Sequence, residues 1–133
     1  MFMAPNKYTW ILLLGLITIA LLANPAHSNV GEIGQIKGSG VLEREGKIVI
    51  DGDVGVNVKS MDEAVTANGT MRIDFVDETR VELTQQSRLV IDEFVYDPAN
   101  DVGSLSIKAS LGTIRYASGQ IAKKYKQNVK IRT

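Results

Sequence analysis

Beyond residue 40, apolar and polar residues alternate in short runs with a period of two. Val54, Val56 and Val58 are separated by Gly55 and Asn57, and Met71, Ile73 and Phe75 by Arg72 and Asp74. Val81 and Leu83 flank Glu82; Leu105, Ile107 and Ala109 flank Ser106 and Lys108; Val129 and Ile131 flank Lys130. Such alternation puts apolar side chains on one face of a strand and polar ones on the other. Turn-forming residues separate the runs: Glu45-Gly46, Asn68-Gly69, Asp77-Glu78-Thr79, Asp97 to Asp101, Leu111-Gly112-Thr113 and Ser118-Gly119. Asn68-Gly69 is the strongest hairpin signal, because both residues accept the positive φ of a type I′ turn. The best helix candidate, Gly119 to Gln127, is short. The pattern predicts an all-β domain, a small antiparallel β-sandwich or β-roll of about 8–10 short strands. A short β-solenoid is the alternative, although no fixed-period repeat supports it.

The start of the chain follows a different rule. Trp10 to Leu22 is an uncharged apolar run, preceded by Lys7 and followed by Ala26-His27-Ser28. A basic start, a short apolar stretch and small residues at a cleavage site make a secretory signal. Residues 1–28 are therefore read as a signal peptide with a helical apolar part, cut after Ser28 or, alternatively, after Ala26. An uncleaved N-terminal anchor helix is the other reading. Against it, the uncharged stretch from Tyr8 to Ala23 is shorter than the roughly 20 residues that a spanning helix needs. The expectation is a periplasmic or secreted domain, residues 29–133, with no membrane insertion once the signal is removed.

Composition narrows the chemistry. The chain has no cysteine, and its single histidine, His27, belongs to the signal segment. Disulfides, thiolate metal sites, cysteine nucleophiles and multi-histidine metal sites are thereby excluded. Asp51-Gly52-Asp53 starts like a calcium loop, but Gly55 and Val56 stand where such a loop needs a ligand and a glycine, so a turn is expected. Asp62-Glu63 and Asp92-Glu93 are neighbours on strands and point to opposite faces, so neither pair converges on a substrate atom. Ser87, Ser104, Ser110 and Ser118 lack an activating histidine. Gly31, Gly34, Gly38 and Gly40 do not have the spacing of a phosphate-cradling loop. A non-catalytic protein without cofactor or metal is expected.

Charge is unevenly spread. Residues 29–101 hold all 15 acidic side chains against seven basic ones, whereas residues 102–133 hold seven basic and no acidic. Such asymmetry can mark a binding face. It singles out Lys123, Lys124, Lys126, Lys130, Ile131 and Arg132 as the candidate partner-binding segment. The near-zero overall charge, with only Tyr116 and Tyr125 interleaved in the basic half, argues against nucleic acid as the partner.

One ordered set of residues resembles a known family. Asp62, Val65 and Thr66 are followed by Ile73, Phe75, Asp77, Thr79, Val81 and Leu83, then by Ser87, Leu89 and Ile91. Phe94 to Pro98 and Leu111 to Gly119, which includes Gly112, continue the order. Together, from Met61 onward, these resemble the FecR-type domain. Two glycines of that pattern are replaced, by Met61 and Glu78. The first replacement suggests a differently built turn before Asp62, and the second a type I rather than a type I′ turn. The family pattern continues beyond the position of Thr133, so truncation at the C-terminus, with an open edge strand, is expected.

The resemblance implies an exported sensor or adaptor that binds another envelope protein. Because nine residues precede the apolar run, a cytoplasmic sigma-factor-binding segment is not expected. The motif residues Asp62, Val65, Thr66, Phe75, Asp77, Thr79, Ser87, Gly112 and Gly119 are expected to be structural. Recognition is assigned to an unpaired edge strand or to the basic segment from Lys123 to Arg132, with self-association through an edge strand as a further option. The alternative function is a surface or cell-wall module that binds carbohydrate or is purely structural. A carbohydrate site would draw on Tyr96, Tyr116, Tyr125, Phe75 and Phe94.

Overall fold

In the computed structural model, which describes residues 29–133, eleven strands form two sheets around one hydrophobic core. The signal helix expected in residues 1–28 lies outside the described residues. The strands are β1 (Asn29–Lys37), β2 (Gly40–Arg44), β3 (Ile48–Asp51), β4 (Asn57–Lys59), β5 (Glu63–Thr66) and β6 (Thr70–Phe75). They continue with β7 (Arg80–Leu83), β8 (Arg88–Asp97), β9 (Val102–Leu111), β10 (Ile114–Ala117) and β11 (Val129–Arg132). One helix, α1 (Gln120–Lys124), and the short 3₁₀ turns Pro98–Asn100 and Lys126–Asn128 complete the described chain. The five-stranded sheet has the order β10-β7-β6-β1-β4, and the six-stranded sheet β11-β9-β8-β5-β2-β3. The architecture is an all-β sandwich, not a closed barrel and not a solenoid.

The alternating runs lie where their period puts them. Met71, Ile73 and Phe75 of β6 are buried while Thr70, Arg72 and Asp74 are not, and Val81 and Leu83 of β7 are buried beside them. Leu89, Ile91 and Phe94 of β8 and Leu105 and Ile107 of β9 fill the core from the other sheet. Phe75 and Phe94 stack across the two sheets with ring centroids 5.2 Å apart. Each such large apolar side chain contributes about 1.5–3 kcal/mol through burial.

Several expectations are corrected. β1 brings the strand number above the expected range, and glycine is the reason it escapes the alternation pattern. A Cβ on Gly31 would run into the backbone of Asp74 and Phe75, and one on Gly34 into the side chains of Asp74 and Arg72. The β1–β6 register shifts between Ile33 and Gln35, so Gly34 sits at a bulge. Asn68-Gly69 is not a hairpin turn: β5 and β6 belong to different sheets, and neither residue has a positive φ. Gly69 is needed there because its Cα lies against the backbone of Lys37 and Ser39, where the chain also changes sheets. Val54 lies in a turn, 67% exposed, and the strand expected from Val54 is confined to Asn57–Lys59. Gly55, with φ +88°, breaks the extended run. Finally, β11 pairs parallel to β9, an exception to the antiparallel rule, because α1 and a 3₁₀ turn carry the chain from β10 in one sheet to β11 in the other.

The turns at the two replaced glycines are informative. Met61 has φ +70°, so the turn before Asp62 takes the left-handed conformation without a glycine and is not rebuilt another way. Glu78 has φ +72° and follows a turn closed by its own N–H donating to Phe75 O at 3.0 Å. A left-handed residue with a Cβ costs roughly 1–2 kcal/mol. Because the Met61 side chain is exposed, Met61→Gly is expected to raise stability by about 0.5–1 kcal/mol, the backbone gain being offset in part by unfolded-state entropy. A urea melt should show a higher midpoint at unchanged slope, and Met61→Val should shift the midpoint the other way.

Candidate functional site

Polar side chains inside an apolar sandwich are costly unless each finds hydrogen-bond partners. Three clusters meet this demand, and they contain most of the motif residues. Asp62, fully buried, accepts from Arg44 Nε and Nη2, each at 2.9 Å, and from the Lys59 N–H at 2.9 Å. The hydrogen bond to Asp62 raises the Arg44 pKa above its usual value, outweighing desolvation. Thr66 on β5 receives the Ser87 N–H at 2.9 Å and donates to Thr84 O at 2.7 Å. Ser87 Oγ in turn receives the Thr113 N–H at 3.1 Å. Gly112, with φ +76°, has no room for a Cβ against Ser87 and Gln86. Val65 lies half-buried between Val41 and Arg88, and Phe75 is core.

The third cluster governs the candidate binding segment. Asp77, fully buried in the β6–β7 turn, accepts from the Thr79 N–H at 3.0 Å and from Thr79 Oγ1 at 2.8 Å. It also accepts the Ile121 N–H at 3.0 Å, while its main-chain oxygen takes the Gln120 N–H at 2.7 Å. One carboxylate thus holds a hairpin and caps the first turn of α1. Gly119 is required at the junction, since a Cβ there would lie 2.6 Å from Thr79 Oγ1. Eight of the nine motif positions lie in turns or in the buried interior, Val65 lies on the outer face, and the nine do not converge on one site.

The basic residues do share one region. Lys123 and Lys124 form the last turn of α1, Lys126 follows in the 3₁₀ turn, and Lys130, Ile131 and Arg132 lie on β11. Ile121, fully buried, ties α1 to the core. Tyr125 packs on Gly103 and donates through its hydroxyl to Asp101 Oδ1 at 2.9 Å, and Asn128 Nδ2 donates to Gly103 O at 3.0 Å. Desolvation first, then the Asp101 hydrogen bond, raises the Tyr125 pKa. These ties leave the five cations exposed, and among the described residues none of them is in an ion pair.

Among the described residues, β11 is an edge strand with β9 as its single neighbour. In a parallel ladder alternate residues bond to each side, so part of its main chain faces outward without a partner. Ile131 is 39% exposed on this strand. Lys108 of β9 stands opposite Arg132 and extends the basic stripe. The sequence reading missed Lys108 because only the cross-strand register brings it there.

Three further acidic groups, Asp74, Glu43 and Glu63, are used locally. Arg72 and Arg80 both pair with Asp74, at 2.9 and 3.6 Å, and Arg88 bridges Glu43 and Glu63 at 3.2 and 2.9 Å. Among the described residues no group of three or more metal-ligating side chains is placed to hold an ion. No helix there is long and apolar enough to cross a membrane. No family model, curated protein or solved structure matches the chain.

Asp77→Ala leaves the Ile121 and Thr79 N–H groups without acceptors. The expected loss is about 2–6 kcal/mol, at roughly 1–3 for each of the two buried orphan donors. Chemical denaturation measures it, and hydrogen exchange should show α1 amides losing protection before those of β8 and β9.

Proposed function

We propose that residues 29–133 act as an exported, non-catalytic FecR-like domain that binds another protein of the bacterial envelope as a sensor or adaptor. The observation that carries this reading is the open β11 edge, flanked by exposed cations without ion-pair partners among the described residues. An edge of this kind recruits an extended segment by main-chain hydrogen bonds, while the lysines favour an acidic partner and speed its encounter. The backbone at the two replaced glycines is compatible with the FecR-type pattern. Both Met61 and Glu78 adopt the left-handed backbone that a glycine would occupy at little cost.

The aromatic residues favour this reading over a carbohydrate module. Phe75 and Phe94 are buried against each other, and Tyr96, Tyr116 and Tyr125 pack in part against the core. They leave little exposed ring surface on which a sugar could stack.

The test is recovery of partners from the host envelope with the tagged protein. Ile131→Pro, which removes a main-chain N–H of the edge strand, is expected to weaken capture of a stoichiometric protein partner at least several-fold more than Lys124→Ala. Equal or reversed losses would count against strand addition. Binding in a glycan screen would favour the carbohydrate reading instead.

A further inference from the structure

The opposite edge of the six-stranded sheet is also open, and its chemistry differs. Among the described residues, β3 pairs with β2 alone. Ile48 and Val49 are 50% and 63% exposed, while Ile50 rests against the core. Two adjacent apolar side chains on an unpaired edge strand are a liability unless something covers them.

The hydrogen-bond phase of β3 determines what can. The Gly52 N–H donates to Gly40 O at 2.8 Å, just beyond the pair Val41–Asp51. Antiparallel pairs alternate between hydrogen-bonded and non-bonded. Leu42–Ile50 and Arg44–Ile48 are therefore bonded pairs, and Val49 and Asp51 turn their N–H and C=O groups outward. An outward-facing residue at the centre of a short strand can exchange two hydrogen bonds with its own copy across a two-fold axis.

We propose that β3 pairs antiparallel with β3 of a second copy of this chain, with the two-fold axis at Val49. In that register Val49 faces Val49, Ile48 faces Ile50, and Lys47 faces Asp51 of the second copy. Each chain supplies both members of the charged pair, so the contact is self-complementary. Among the described residues, neither Lys47 nor Asp51 is in an ion pair within its own chain. Ile50 lies opposite fully buried Leu42, so the Ile48–Ile50 contacts fall on the core side and extend the apolar layer across the junction. Beyond residues 47–51 the same register brings Glu45 towards Asp53 of the second copy, and these like charges limit the ladder. The contact is isologous and closes at two copies, so it forms a dimer and no fibre. It is independent of the β11 reading, and the dimer leaves both β11 edges free.

Two measurements on the purified protein test this. The chain has no native cysteine, so Val49→Cys introduces a single thiol. A bonded antiparallel pair places the two Cα atoms about 5.5 Å apart, within disulfide range. Under mild oxidation Val49→Cys is expected to form a covalent dimer at least about tenfold faster than Val95→Cys, an exposed control on β8. Equal rates would overturn the proposal. In sedimentation, the unmodified protein should show concentration-dependent dimerisation. Val49→Lys and Lys47→Asp should each lower the association constant, and the double change Lys47→Asp with Asp51→Lys should restore it. A monomer at every concentration, a dimer indifferent to Val49→Lys, or a double variant no better than Lys47→Asp would each contradict the register. Circular dichroism confirms that the variants retain the β fold, so a loss of association is not a loss of structure.

Discussion

A carboxylate removed from water must be surrounded by donors, and Asp77 meets that requirement with groups from two distant parts of the chain. Its partners are Thr79, next to it in the β6–β7 turn, and Ile121, on the far side of β10. Satisfying the charge therefore fixes where α1 begins. From there Ile121 enters the core and Tyr125 settles on Gly103, and β11 is delivered to the edge of the opposite sheet. The exposed lysines of this segment owe their position to a buried acid that they never touch.

Asp62 and the Thr66–Ser87 cluster do similar work elsewhere. Asp62 and Thr66 share the inward phase of β5 with Ala64, while Val65 turns to the outer face. Binary patterning is inverted there because turn geometry outweighs burial of one valine. The sandwich is thus held by an apolar interior and by polar clusters that specify its corners. Besides the β10 and β4 edges of the five-stranded sheet, the two ends of the six-stranded sheet remain unpaired among the described residues. One is short, apolar and self-complementary; the other is basic and approached by a lysine-rich turn. The proposed self-association at β3 and the proposed partner recognition at β11 use different edges and do not compete.

The fold class was legible because most strands have one wet face. β6 and β7 alternate cleanly, and turns at Glu45-Gly46 and Asp77 to Thr79 separate strands as expected. β1 was illegible because close backbone approach to β6 requires glycines where a strand pattern would show side chains. Asn68-Gly69 misled because glycine there serves a close crossing between sheets, a demand that local propensity cannot distinguish from a hairpin. The parallel placement of β11 depends on which sheet α1 reaches, and that follows from the long-range Asp77 contact. The basic segment was visible as a charge imbalance. Its open edge and the contribution of Lys108 needed strand order and register.

The most direct measurement is photocrosslinking from position 131 in living cells, with Arg115 on the β10 edge as a control position. Partner recognition through β11 predicts one envelope protein joined at position 131 and absent at position 115. Adducts only between copies of the chain, only with cell-wall material, or equally from both positions would contradict it.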